Sequence, residues 1–190
     1  AFNQATNIES VHFPTSLNKI CDGAFSYNTQ VTNIYIDKNV SDIHPLFIRK
    51  QFNGTIEINS DNQKYEVADN VLYEKIDGKK EILVRVLKSI DKTIEINSEV
   101  KKIGNYAFYG QNKLTEISIP EGITTIEGSF SNCPNLLKVE IPSTVTSISS
   151  WCFSDGTNNL LEIRVKNKPN SISGSPWGAV KGLKVVTWEK

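Results

Sequence analysis

The sequence contains no methionine, carries no net charge and has only two histidines, His12 and His44. Each scarcity excludes something. The 21 Lys and Arg residues balance 21 Asp and Glu, so the basic field that nucleic acid or an anionic membrane surface requires is missing. No apolar run approaches the roughly 18 residues of a membrane span, and no insertion of this segment into a bilayer is expected. A charged start followed by an apolar stretch is also missing, so no signal peptide is read. Cys21, Cys133 and Cys152 are odd in number and widely spaced, unlike a disulfide framework or a zinc site. Their repeat positions predict buried free thiols. No Gly-rich phosphate loop and no nucleophile elbow occurs. The expectation is a chain without enzymatic activity and without a cofactor.

What is present is periodicity. Apolar residues make up 38% and charged residues 22% of the chain, the balance of a folded protein and not of a disordered one. Between Lys102 and Pro142, Ile103, Phe108, Leu114, Ile117, Ile119 and Pro120 are answered by Ile126, Phe130, Leu136, Val139, Ile141 and Pro142. Periods of this length signal stacked repeats. The apolar-x-apolar pairs are Val11-x-Phe13, Ile34-x-Ile36, Ile56-x-Ile58, Ile94-x-Ile96, Ile117-x-Ile119, Val139-x-Ile141, Ile163-x-Val165 and Val186-x-Trp188. Each predicts a short strand with one buried face. Between strands, an Ile precedes an aromatic (Ile20 and Phe25, Ile43 and Phe47, Ile148 and Phe153, Ile172 and Trp177), filling the opposite wall of the same coil. A later anchor follows at Val31, Leu114, Leu136, Leu160 and Leu183. No single repeat buries these residues alone, so coils stack and share one core. Proline after the strand pair (Pro14, Pro120, Pro142) lacks a donor and ends the ladder.

The interval from Ile56 to Ile94 is longer than the others, and residues 59–93 are read as a hairpin-bearing inserted repeat. Asp77-Gly78-Lys79-Lys80 is its turn signal, with a return strand over Glu81–Leu87. The insert is either a binding element or a structural flap over the stack. Gly104, Gly110, Gly122 and Gly128 are read as turn glycines of the repeats. Ala1-Phe2 followed by Ile8 repeats the phase of Ala107-Phe108 and Leu114. The expectation is therefore a chain that starts in mid-repeat as a piece of a longer protein, in a single domain over residues 1–190. Two Asn-x-Ser/Thr sequons occur, at Asn39 and Asn53.

The units IGNYAFYGQNKLTEISIPEGITTIEGSF and FSNCPNLLKVEIPSTVTSISSWCF resemble the BspA-like leucine-rich repeats, which read approximately Ile-Gly-x-x-Ala-Phe, an optional Cys, then Leu-x-x-Ile-x-Ile-Pro. Cys133 stands at the optional Cys and Cys152 replaces the small Ala. Leu46-Phe47 and Trp177 depart from the pattern. The resemblance implies a leucine-rich repeat solenoid, right-handed and mainly β. Its parallel sheet lies on the concave side, with short turns or 3-10 segments on the convex side. It also implies a secreted or cell-surface protein of a microbe that binds an extracellular or host protein.

The concave sheet should display the residues between and beside the strand pairs. The central row is His12, Tyr35, Glu57, Glu95, Ser118, Glu140, Arg164 and Thr187. The adjoining row runs through Thr93 to Glu116, Lys138 and Glu162. Rungs about 4.8 Å apart make Glu116, Lys138 and Glu162 an alternating ladder and set Glu140 beside Arg164. Such charges support neighbouring strands, which describes a solvated, self-compensating face. The same rows also describe a polar protein-binding face with Tyr35 as an aromatic anchor. Glu57 and Glu95 on equivalent rungs suggest a cation bridge as a further reading. The sequence alone leaves these readings open, together with the identity and number of the partners and the choice between concave face and insert.

Overall fold

The computed structural model describes residues 8–26, 30–49, 52–91, 94–169, 171–179 and 185–189. The phase of Ala1-Phe2, Leu183 and Thr93 lie outside them. The chain winds into a β-solenoid of about 7 turns, with no helix among the described residues. The strands are β1 (Ser10–His12), β2 (Lys19–Ile20), β3 (Asn33–Ile36), β4 (Asp42–Ile43), β5 (Thr55–Ile58), β6 (Tyr65–Ala68), β7 (Val71–Ile76) and β8 (Lys79–Val86). The series continues with β9 (Lys102–Ile103), β10 (Glu116–Ser118), β11 (Thr125–Ile126), β12 (Lys138–Ile141), β13 (Ser147–Ile148), β14 (Glu162–Val165) and β15 (Val185–Trp188).

Strand pairing follows the sequence register. Ile117, Val139, Ile163 and Val186 lie on successive parallel rungs, and so do Val11, Ile34 and Ile56. β1, β10 and β12 end at or one residue before the apolar residue that precedes Pro14, Pro120 or Pro142. The opposite wall carries the expected short turns, at 22–26, 105–110 and 150–153, and adds paired strands ahead of them. Its Ile residues form two-residue parallel strands, Ile103 pairing Ile126 and Ile126 pairing Ile148, with Ile20 pairing Ile43. No 3-10 segment occurs among the described residues. Behind these strands Phe108, Phe130 and Phe153 stack at centroid distances of 4.9 and 5.3 Å. Trp177 continues the column, fully buried, with its indole N–H donating to the Ser173 carbonyl at 2.7 Å. A further ladder, unread in the sequence, stands three residues before four of the wall Ile residues: Val40, Val100, Ile123 and Val145, each at most 1% exposed. Asparagines tie the turns between coils. Asn39 donates to the Thr15 carbonyl, Asn62 to Asp37 and Val40, and Asn167 to Ser143 and Val145.

The rhythm of eight pairs breaks at the insert, and two expectations need correction there. Ile94–Ile96 is not a strand; its side chains pack on the core without joining a ladder. The concave sheet is therefore two sheets, β1-β3-β5 and β10-β12-β14-β15. The insert carries two consecutive hairpins, not one. Asp69-Asn70 and Asp77-Gly78 turn with φ of 51, 62, 49 and 80°, the left-handed pairs that two-residue hairpin loops require. β6, β7 and β8 are antiparallel, and β8 then pairs parallel with β9. This three-stranded layer is buried on both faces. Tyr65, Leu72, Val84 and Leu87 belong to the core of the first half, whereas Val71, Tyr73, Leu83 and Val86 belong to that of the second. A register shift between Leu72 and Tyr73 accommodates that division. The layer also holds Arg85, 2% exposed, whose guanidinium donates to the Tyr106 carbonyl at 2.8 Å and lies 5.3 Å from the Tyr109 ring centroid. Burial pushes its pKa down to about 10, so it remains a cation at neutral pH.

The thiols divide. Cys133 and Cys152 are fully buried, and burial pushes the Cys133 thiol up to about 12 and Cys152 in the same direction. Cys21 is exposed, contrary to the expectation for it, because it follows the wall Ile20 and points away from the coil. Gly110 and Gly122 occupy turns with positive φ, whereas Gly104 and Gly128 do not. At Gly128 a Cβ would overlap the far side of the Trp151 ring, so a side chain there would require that exposed indole to move.

Two measurements check this core. Phe130→Ala removes the middle ring of the stack and should cost about 3–5 kcal/mol in chemical denaturation, the range for burying an empty aromatic site. Iodoacetamide on the native protein should modify Cys21 alone, with Cys133 and Cys152 reacting only after denaturant is added, because the thiolate is the reactive form; mass spectrometry reads the sites.

Candidate functional site

The broken concave surface has two halves of different chemistry. In the first, His12, Tyr35 and Glu57 are direct cross-strand neighbours. Their side chains point outward because Val11, Ile34 and Ile56 alternate with them into the core. The His12 and Tyr35 rings stack at 4.0 Å with 13° between planes. Beside them lies a shallow depression of about 250 Å³ lined by His12, Phe13, Tyr35, Ile36, Asp37, Glu57, Ile58 and Asn59. Its lining holds two carboxylates and no Lys or Arg.

In the second half, Glu116, Lys138 and Glu162 are in register, as are Ser118, Glu140 and Arg164. The ion pairs run mainly along strands and not straight across them. Lys138 meets Glu140 at 3.0 Å, and Arg164 meets Glu162 at 2.7 Å, each two residues away on its own strand. Arg164 also approaches Glu140 across the rung at 3.8 Å. The Lys138 ammonium, bonded to Glu140, holds that carboxyl below the usual carboxylate range; Ser118 and Arg164 act in the same direction. Glu162 likewise holds Arg164 upward. These charges answer one another.

Glu95 stands apart from both rows. The residue is exposed on a segment that belongs to no strand, so Glu57 and Glu95 are not equivalent rungs of one sheet and no shared cation position arises from the ladder. No group of three or more His, Cys, Asp or Glu suited to a metal occurs among the described residues. No helix is long and apolar enough to cross a membrane among the described residues.

A solenoid with parallel concave strands, a wall of paired Ile residues and an aromatic column defines a leucine-rich repeat protein. The sequence matches the BspA type leucine rich repeat region in 6 copies over residues 1–74 and 88–188; the chain belongs to that family. The fold is similar to that of a leucine-rich repeat protein from Eubacterium ventriosum, at 24% identity and a TM-score of 0.64, covering 99% of this chain and 56% of that one. It is also similar to the pneumococcal vaccine antigen PcpA, at 19% identity and a TM-score of 0.73, covering 96% of this chain and 51% of that one. The chain thus spans about half the length of these two proteins. Among curated proteins none matches.

The charge pattern of the second half is directly testable. Glu140 has a depressed folded pKa, so the stability its carboxylate contributes is present above the unfolded carboxylate range. That contribution is lost as pH falls through the folded value. In Lys138→Met the Glu140 carboxyl should titrate at higher pH than in the parent protein, read by carboxyl-carbon NMR. An unmoved titration would mean that Arg164 and Ser118 suffice.

Proposed function

We propose that the chain is a non-enzymatic protein-binding module of a cell-surface or secreted protein, and that its binding face is the first half of the concave surface. The observation that carries this reading is the stacked His12–Tyr35 pair beside Asp37 and Glu57, in a depression without a cation of its own. Stacked rings supply contact area at small conformational cost, and a ring face attracts a cation. Two carboxylates add an electrostatic preference for the same guest. The chemistry favours a Lys or Arg side chain presented by a folded extracellular or host protein. The family and the likeness to a vaccine antigen support a surface location. The second half supports a different role. Its Lys138, Glu140, Glu162 and Arg164 neutralise one another, which suits a spacer that positions a catalytic or carbohydrate-binding domain elsewhere in a longer chain.

Binding to an array of extracellular-matrix and host-surface proteins, measured by surface plasmon resonance, tests the proposal. A captured partner should bind Tyr35→Ala about tenfold more weakly, a loss of about 1.4 kcal/mol, and should lose affinity with rising salt. Glu140→Gln should change little. An array without a saturable binder, or one whose binder ignores Tyr35→Ala, would remove the first half as the binding face.

A further inference from the structure

The break in the concave sheet leaves an edge. β5 is the last strand of its sheet, paired with β3 alone. In a parallel ladder alternate residues bond the same neighbour. The Thr55 N–H donates to the Thr32 carbonyl at 2.7 Å and the Asn59 N–H to that of Ile36 at 2.9 Å, so Thr55, Glu57 and Asn59 face β3. The peptide groups of Ile56 and Ile58 therefore face the other way, where the next rung is missing.

Across from them stands a second edge. β6 pairs only with β7, and Ala68 opposite Val71 closes the two-residue hairpin. With the Lys75 N–H donating to the Lys64 carbonyl at 2.7 Å, the bonded positions are Lys64, Glu66 and Ala68. The peptide groups of Tyr65 and Val67 then turn away from β7. The Tyr65 N–H is taken by the Asn62 side chain at 2.8 Å. No hydrogen bond from a described residue reaches the peptide groups of Ile56, Ile58 or Val67. Between the two edges runs a cleft of about 480 Å³, with Ile56, Glu57, Ile58, Tyr65, Glu66 and Val67 in its walls.

We propose that this cleft takes an extended peptide segment of a partner protein, which adds as a strand to β5. Exposed edges with free donors and acceptors accept a strand through main-chain bonds, and side chains set the preference. Two of the three charged groups at the cleft are already engaged. Glu66 binds Lys80 at 3.0 Å, and the Lys75 ammonium donates to the Asn62 carbonyl at 2.7 Å. Glu57 has no ion pair among the described residues, so the added strand should carry Lys or Arg at the position facing it. The site adjoins the concave depression and shares Glu57 with it, but it reads backbone and does not depend on the His12–Tyr35 stack.

The test uses three capped hexapeptides: Val-Lys-Val-Lys-Val-Thr, the same chain with Glu in place of Lys, and the Lys peptide with alternate backbone nitrogens methylated. Titrations followed by amide NMR and hydrogen exchange should show saturable binding of the Lys peptide and slowed exchange at Ile56, Ile58 and Val67. The methylated peptide should bind at least about tenfold more weakly. Glu57→Lys should reverse the preference toward the Glu peptide, and Tyr35→Ala should leave Lys-peptide affinity within about twofold. Binding that tolerates methylation, protection at other amides, or no binding at millimolar peptide would overturn the proposal. Loss of the peptide in Tyr35→Ala would also overturn it, by placing the peptide on the stacked rings. Concentration-dependent self-association through the same amides would overturn it in favour of a second copy of this chain as the occupant.

Discussion

Each coil is held by placing an apolar side chain directly over its counterpart in the coil before. Phe130 lies between Phe108 and Phe153, and Val139 lies between Ile117 and Ile163. This vertical match demands a near-constant coil length, because one added residue would turn the apolar set of a strand outward. It also explains why side chains between the stacked positions are free to vary. His12 and Tyr35 on one sheet, and Glu140 and Arg164 on the other, occupy equivalent positions of their strands yet have unrelated chemistry. A solenoid built this way separates the residues that make it stable from those that meet a partner.

The insert adds a second way of joining coils. Where the solenoid elsewhere connects rungs by parallel strand ladders, residues 65–86 form an antiparallel layer with apolar side chains on both faces. β8 couples it to the second half through β9. Toward the first half the connections are packing and single bonds, such as the Ile43 N–H to the Tyr65 hydroxyl at 3.2 Å and the Phe52 N–H to the Leu87 carbonyl at 3.3 Å. The concave surface is interrupted as a result, and its two parts differ: stacked rings with Asp37 and Glu57, which form no ion pair among the described residues, before the insert, and paired charges after it.

Most of the ladder was legible because burial in a strand imposes a period of two and stacking imposes a period near the coil length. Both are visible in Ile34, Ile56, Ile117 and Val139. Ile94–Ile96 shows the limit of that logic. Its residues have the right pattern and pack on the core of the second half, yet they form no ladder with β10; an apolar alternation fixes which side chains are buried and not which backbone groups pair. The ladder of Val40, Val100, Ile123 and Val145 was also readable, by its fixed offset of three before Ile43, Ile103, Ile126 and Ile148. Cross-strand register predicted which charges are adjacent. It did not predict that Lys138 would turn to Glu140 on its own strand, since long side chains choose partners by reach. Gly54 carried no sequence signal beyond a sequon, yet a Cβ there would overlap the Thr32 carbonyl. Such a close approach becomes visible only once two coils are superposed.

The discontinuity between β5 and β10 has a mechanical meaning. A pull along the solenoid axis is borne within each half by hydrogen bonds aligned with the load. Where the first half meets the double-faced layer, no ladder of described strands carries that load, and apolar contact bears most of it. Contact of this kind gives way over a short extension. The junction is therefore a parting plane built into the molecule: tension should open it first, while the coils on either side stay wound and the chain itself keeps the halves linked.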